Sequence, residues 1–76
     1  MGKVTVDLVA LGSKVRERRK ELGMTQVQLA ERMGILQPDV SVIESGQVVS
    51  GLLMVARVAV ALDMSPVELA AVAYGQ

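Results

Sequence analysis

The sequence predicts an all-α fold, one small domain of five short helices, and three observations carry that expectation. Apolar residues recur at helical spacing along most of the chain. Two segments open on a hydroxyl residue followed three positions later by Gln or Glu, which is how a helix announces its start. The apolar palette is Leu, Val, Ile, Met and Ala with a single aromatic ring, Tyr74, and it suits short helices that pack closely. At 76 residues the chain can bury one core, near the size where burial only just offsets chain entropy, so a partner subunit would add useful stability.

The elements follow in order. Residues 1–7 ("MGKVTVD") alternate Val4 and Val6 with polar residues over too short a span for a strand, and they stand as an unassigned N-terminal arm before a domain of residues 8–76. Asp7 can cap a first helix whose stripe is Leu8, Leu11, Val15 and Leu22, and Gly23 ends it. Thr25 and Gln28 form a capping box for a second helix that runs to about Met33. Gly34 supplies a turn where positive φ is cheap, with Ile35 packing beneath it. The third helix starts at Leu36 without the usual capping side chain. Pro38 fixes φ and removes one orphan amide there, and the Asp39 carboxylate meets the positive end of the helix dipole, so Asp39 is read as a starter of the helix. Ser50 or Gly51 opens a fourth helix with Leu52, Val55, Ala56, Ala59 and Leu62 on one face. Ser65, Pro66 and Glu68 make a second capping box, for a fifth helix to about Tyr74. The chain reads as free of internal repeats, low-complexity tracts and linkers.

Composition narrows the function. There is no Cys and no His, which excludes thiol chemistry, Cys/His metal sites and a His general base. The acids are scattered, so neither an enzyme nor a metal or cofactor site is expected. The longest charge-free run, Ser45 to Ala56, is too short to span a bilayer, which needs about 18 residues or more. With no secretory or myristoylation pattern at the start, a cytoplasmic protein without membrane contact is expected. Charge is balanced overall but not along the chain. Residues 1–32 carry seven bases against four acids (+3), whereas residues 33–76 carry Arg57 against four acids (−3). Attraction for nucleic acid would therefore come mostly from the first helix.

The segment "TQVQLAERMGILQPDVSVIESG" meets six conditions that two helices crossing at a short turn impose. Ala30 is small, Gly34 turns, and Leu29, Ile35, Val40 and Ile43 are apolar where the core must lie. Through "VRERRKELGMTQVQLAERMGILQPDVSVIESG" and "ALDMSPVEL", about Leu11 to Leu69, the chain resembles the lambda-repressor-like, Xre/Cro-type helix-turn-helix family. The resemblance implies a DNA-binding transcription regulator whose third helix enters the major groove. It also implies a phosphate-binding role for Gln26 and a base-reading role for Gln37, and it pairs Glu44 with Arg19 as a structural ion pair. A helical wheel adds Pro38, Ser41, Val42 and Ser45 to the outward arc with Gln37. Gln37 can pair bidentately with adenine, and Pro38 and Val42 can touch thymine methyls. Gln47, Arg16, Arg18 and Lys20 complete the expected DNA contacts.

The chain also departs from the family. Leu36 replaces a capping hydroxyl, Pro38 and Val42 replace polar readers, and "SGQVVSG" lacks bases, so modest affinity per subunit is expected. A leftover apolar surface, Leu53 and Val60 flanking Arg57 on the fourth helix with Val67, Ala71 and Tyr74 on the fifth, predicts a homodimer interface. A repressor that binds double-stranded DNA at a near-palindromic operator is one consequence. The alternative is a protein-interaction module, antitoxin-like or binding another protein partner, that keeps the fold without groove reading.

Overall fold

The computed structural model describes residues 6–47 and 51–74, apart from the side chain of Leu52. Five helices appear among them: α1 (Leu8–Glu21), α2 (Gln26–Met33), α3 (Gln37–Glu44), α4 (Gly51–Ala61) and α5 (Pro66–Tyr74). The first five residues of the expected arm and Ser50, one of the two expected starts of α4, lie outside the described residues. Asp7 belongs to the domain and not to an arm. Its carboxylate accepts from Ala10 N at 2.9 Å, and its own amide donates to Ala73 O at 2.8 Å, which ties the start of α1 to the end of α5.

Packing closes a ring. α1 lies against α3 and α5, α2 against α3 and α4, and α4 against α5. One core fills the ring, with Leu11, Val15, Leu29, Val40, Val55, Leu62 and Leu69 almost wholly enclosed. Burial of each such side chain contributes roughly 1.5–3 kcal/mol, so the position of α3 is held from below by the whole core.

Two of the expected apolar faces need correction. α4 buries Val58 along with Val55 and Ala59, with Leu62 enclosed just beyond its end, and leaves Ala56 half-buried. Nearly every side chain of α4 is apolar, so composition alone does not mark its inner face. On α5 the inner residues are Leu69 and Ala73, with Val72 half-buried. Tyr74 packs against the core of its own subunit and is not part of a free face with Val67 and Ala71, which are exposed.

An internal duplication, absent from the sequence-based expectation, is plain in the structure. The corner Leu22-Gly23-Met24-Thr25-Gln26-Val27-Gln28-Leu29-Ala30 between α1 and α2 has its counterpart in Leu62-Asp63-Met64-Ser65-Pro66-Val67-Glu68-Leu69-Ala70 between α4 and α5. Both turn through a left-handed second residue, Gly23 at φ 69° and Asp63 at φ 54°. The helix starts differ in detail. Thr25 and Gln28 form the full capping box, at 3.1 Å and 2.8 Å, whereas the Ser65 hydroxyl accepts from Val67 N at 3.2 Å, one residue before the partner a box would use.

Candidate nucleic-acid interface

α2 ends on Gly34, whose φ of 70° allows the Gly34 and Ile35 amides to close back on Glu31 O and Ala30 O. α3 starts three residues on, at Gln37, with Leu36 as its cap. The Leu36 side chain has nothing with which to accept, so only the return half of a capping box forms, Leu36 N donating to Asp39 Oδ2 at 3.3 Å. Val40 and Ile43 face the core. Pro38, Ser41 and Ser45 are exposed, and Gln37 and Val42 are half-buried on the outward side.

A chain of polar groups runs from the interior to that outward side. Arg19 Nε donates to Glu44 Oε2 at 2.6 Å and Nη2 to Oε1 at 3.0 Å, a bidentate pair with the two side chains 10% and 5% exposed. Its remaining nitrogen, Nη1, holds Met24 O at 2.8 Å, so one buried guanidinium ties α1 to α3 and to the first corner. Donation to the Glu44 carboxylate raises the pKa of Arg19 above its ordinary value; burial works the other way and charge attraction adds to the rise. A raised value means that the guanidinium stays charged and that this contribution is lost only as pH rises through its raised range. Gln26 Nε2 then donates to Glu44 Oε1 at 3.2 Å, and Gln37 Nε2 donates to Gln26 Oε1 at 2.6 Å. The two glutamines thus orient one another. Among the described residues each still has one amide N–H without a partner, and the Gln37 oxygen has none either, which is the pair of groups that adenine needs.

The other expected contact residues divide. Arg16 shares a polar cleft with Arg19, Gln26, Ser41, Glu44 and Ser45, so it stands beside the glutamine pair, and Lys20, four residues on, lies exposed on the same side of α1. Ser45 directs its proton to Val42 O at 2.9 Å and accepts from Gln47 Nε2 at 2.8 Å, so it is an acceptor here and not a phosphate donor, while Gln47 keeps one N–H. Arg18 is not at this surface. Two residues from Arg16 it faces the opposite way, with Nε on Leu62 O at 3.0 Å and Nη1 on Glu21 at 3.4 Å, in a recess that includes Asp63 and Glu68. Arg57, expected in a dimer interface, is committed within the chain, where its Nη2 donates to Met33 O at 2.8 Å. Arg32 Nη1 returns the contact to Ala61 O at 3.2 Å, so α2 and α4 each neutralise the negative end of the other.

Two glycines outside the expected site position α3. A Cβ on Gly12 would lie 2.5 Å from Ile43 O and 2.6 Å from Glu44 O, and one on Gly46 would lie 3.0 Å from Val9 Cα. α1 therefore touches the end of α3 backbone to backbone. A glycine inside an otherwise helical pattern is the sequence signal of such an approach.

A buried pair fixing a short exposed helix, with Gln26 of α2 and Gln37 of α3 orienting one another beside its leading end, is set within a helix-turn-helix. A family model described as a helix-turn-helix domain matches residues 10–72, and the chain belongs to that family, in its Xre/Cro-type branch of DNA-binding transcription regulators. It is 41% identical over 54 residues to an uncharacterized HTH-type transcriptional regulator of Methanothermobacter thermautotrophicus, covering 71% of this chain and 78% of that protein. It is 38% identical to the restriction-modification controller protein C.AhdI from Aeromonas hydrophila, with a TM-score of 0.77 over 83% of this chain and 96% of that one. The biofilm master regulator SinR, solved in complex with DNA, is 30% identical, with a TM-score of 0.69 over 79% and 97% of the respective chains. Among the described residues no helix is long and apolar enough to cross a membrane, and no cluster of metal-ligating side chains occurs.

Proposed function

We propose that the protein is a sequence-specific repressor that occupies a near-palindromic operator as a homodimer, one α3 from each subunit entering successive major grooves about 34 Å apart. The observation that carries this reading is the chain Arg19–Glu44–Gln26–Gln37, which spends a buried ion pair on orienting an amide at the leading end of α3. Arg16, which lines the cleft with Gln26, and the exposed Lys20 and Gln47 are the donors this reading assigns to the flanking phosphates. With so few cations the binding constant falls only gently with salt. The dimer reading is supported by Leu53, Val60 and Val67, which are 76%, 66% and 77% exposed on α4 and α5.

Selection of tight binders from a random duplex pool, paired with sedimentation equilibrium at tens of micromolar, tests both parts. Inverted half-sites one helical turn apart and a dimer that Leu53→Asp disrupts are the expected results. A strict monomer would overturn the dimer. The absence of any basic residue from α3 favours a second reading, a protein-interaction module, and a pool that yields no preferred sequence would select it.

A further inference from the structure

The leading end of α3 carries an exposed carboxylate, and DNA repels a carboxylate unless a base offers it an N–H. Asp39 is exposed, only its Oδ2 is engaged, and among the described residues no donor lies within hydrogen-bond distance of Oδ1. Beside it stands Leu36, 71% exposed, whose amide is the one that Oδ2 accepts from. A cap alone requires neither feature. The return bond uses one oxygen, and an apolar side chain of that size gains nothing from solvent.

We infer that Asp39, with Leu36 beside it, is a specificity-determining residue that selects cytosine in each half-site. The inference rests on α3 lying in the major groove, as proposed above. In that groove guanine shows two acceptors, adenine an acceptor next to its amino group, and thymine an acceptor next to its methyl group. Cytosine alone shows a donor and no acceptor. Its N4 amino group can donate to Oδ1, and its C5–H edge is apolar and suits Leu36. The other three bases set at least one lone pair against a fixed negative charge, so the preference is built largely by repulsion. The same charge replaces the phosphate-binding character of a helix N-terminus, so α3 engages the base edge and leaves the backbone to Gln26, Arg16 and Lys20.

The experiment is duplex selection with the wild-type protein and with Asp39→Asn, followed by titration of the best duplex and of its cytosine-to-thymine variant. Asn retains an oxygen for the Leu36 amide, and its thermal midpoint reports whether the fold is kept. For the wild type, the thymine variant is expected to bind about tenfold more weakly or worse. For Asp39→Asn that ratio is expected to fall to about twofold, because an amide accepts or donates, and affinity for random duplex is expected to rise. An unchanged cytosine preference in a folded Asp39→Asn protein would overturn the inference while leaving the groove reading intact. A wild-type protein that selects no sequence would overturn both. Should Asp39→Asn fail to fold, Leu36→Ala, which leaves the amide in place, is expected to lessen the discrimination against thymine, and no change there would equally refute the assignment.

Discussion

The two corners of the molecule share a backbone and differ in what it is used for. In each, the residue after the left-handed turn sends its amide back to the preceding helix, Met24 N to Arg19 O at 3.0 Å and Met64 N to Ala59 O at 2.9 Å. Met24 and Met64 are buried alike, and Leu29 and Leu69 are wholly enclosed. The divergence is at the first position of the following helix. Gln26 reaches Glu44 and Gln37, whereas Pro66 only fixes φ where no amide partner is needed. The carbonyl contacts differ as well: Arg19 reaches Met24 O from a buried ion pair, and Arg18 reaches Leu62 O from a half-exposed position. One turn chemistry thus serves two corners, and the proposed reading function is confined to side chains that the turn does not need.

The largest effect is expected where the first corner depends on Arg19. Arg19→Ala leaves Glu44 buried without its partner and frees Met24 O, a loss of about 3 kcal/mol. For a domain of this size, that lowers the thermal midpoint by roughly 12–24 °C. Arg18→Ala removes a side chain that is 31% exposed and weakly paired with Glu21, so about 1 kcal/mol or less is expected. Comparable midpoints for the two variants in thermal unfolding would show that the corners are held equally and that the asymmetry is wrong.

That asymmetry was half visible in the sequence. The Thr25–Gln28 box, the turn at Gly34 and the buried face of α3 follow from local rules, because each depends on residues within four positions of one another. Arg19 with Glu44 needed a family resemblance, since the two are far apart in the chain and carry no local sign of pairing. Arg18 and Arg57 donate to backbone carbonyls far away in the chain, Leu62 O and Met33 O, which no side-chain pattern announces. The inward packing of Tyr74 has no sequence signal, because α5 is apolar on most sides and gives a wheel little polarity to sort. The duplication is masked in the sequence where Gly23 faces Asp63, Thr25 faces Ser65, Gln26 faces Pro66 and Gln28 faces Glu68, although Leu, Met, Val, Leu and Ala coincide at the other five positions.

A second substitution sharpens the division between scaffold and reader. Gln26→Pro writes the second corner's residue into the first, and the backbone accepts it: Thr25 is extended at φ −83°, ψ 167°, as a residue before proline must be. Position 26 opens the helix, where a missing amide is harmless. The thermal midpoint is therefore expected to stay within a few degrees. Binding to a selected duplex, however, should weaken about tenfold or more, since Gln37 loses its orienting partner and one phosphate loses a donor. Unaltered affinity in a gel-shift titration would mean that the glutamine chain is an ornament of the fold and not part of the reading machinery.

The smallest effect concerns the left-handed residues themselves, and it asks whether the two turns are interchangeable. Gly23 at φ 69° has no atom within 4 Å of where a Cβ would stand, so Gly23→Asp meets no clash and loses only the conformational ease of glycine. A cost of about 0.5–1 kcal/mol follows, Asp being among the residues that tolerate this region best. Asp63→Gly relieves the same strain at φ 54°, but glycine also loosens the unfolded chain, and the nearby Lys14 and Arg18 lose an acidic neighbour. A gain of a few tenths of a kcal/mol at most is what remains. Measured by urea unfolding, the two changes are expected to have opposite signs and, being in separate corners, to add in the double variant. If both destabilise, Asp63 contributes through its charge more than its backbone costs, and the second corner is held by electrostatics where the first relies on glycine.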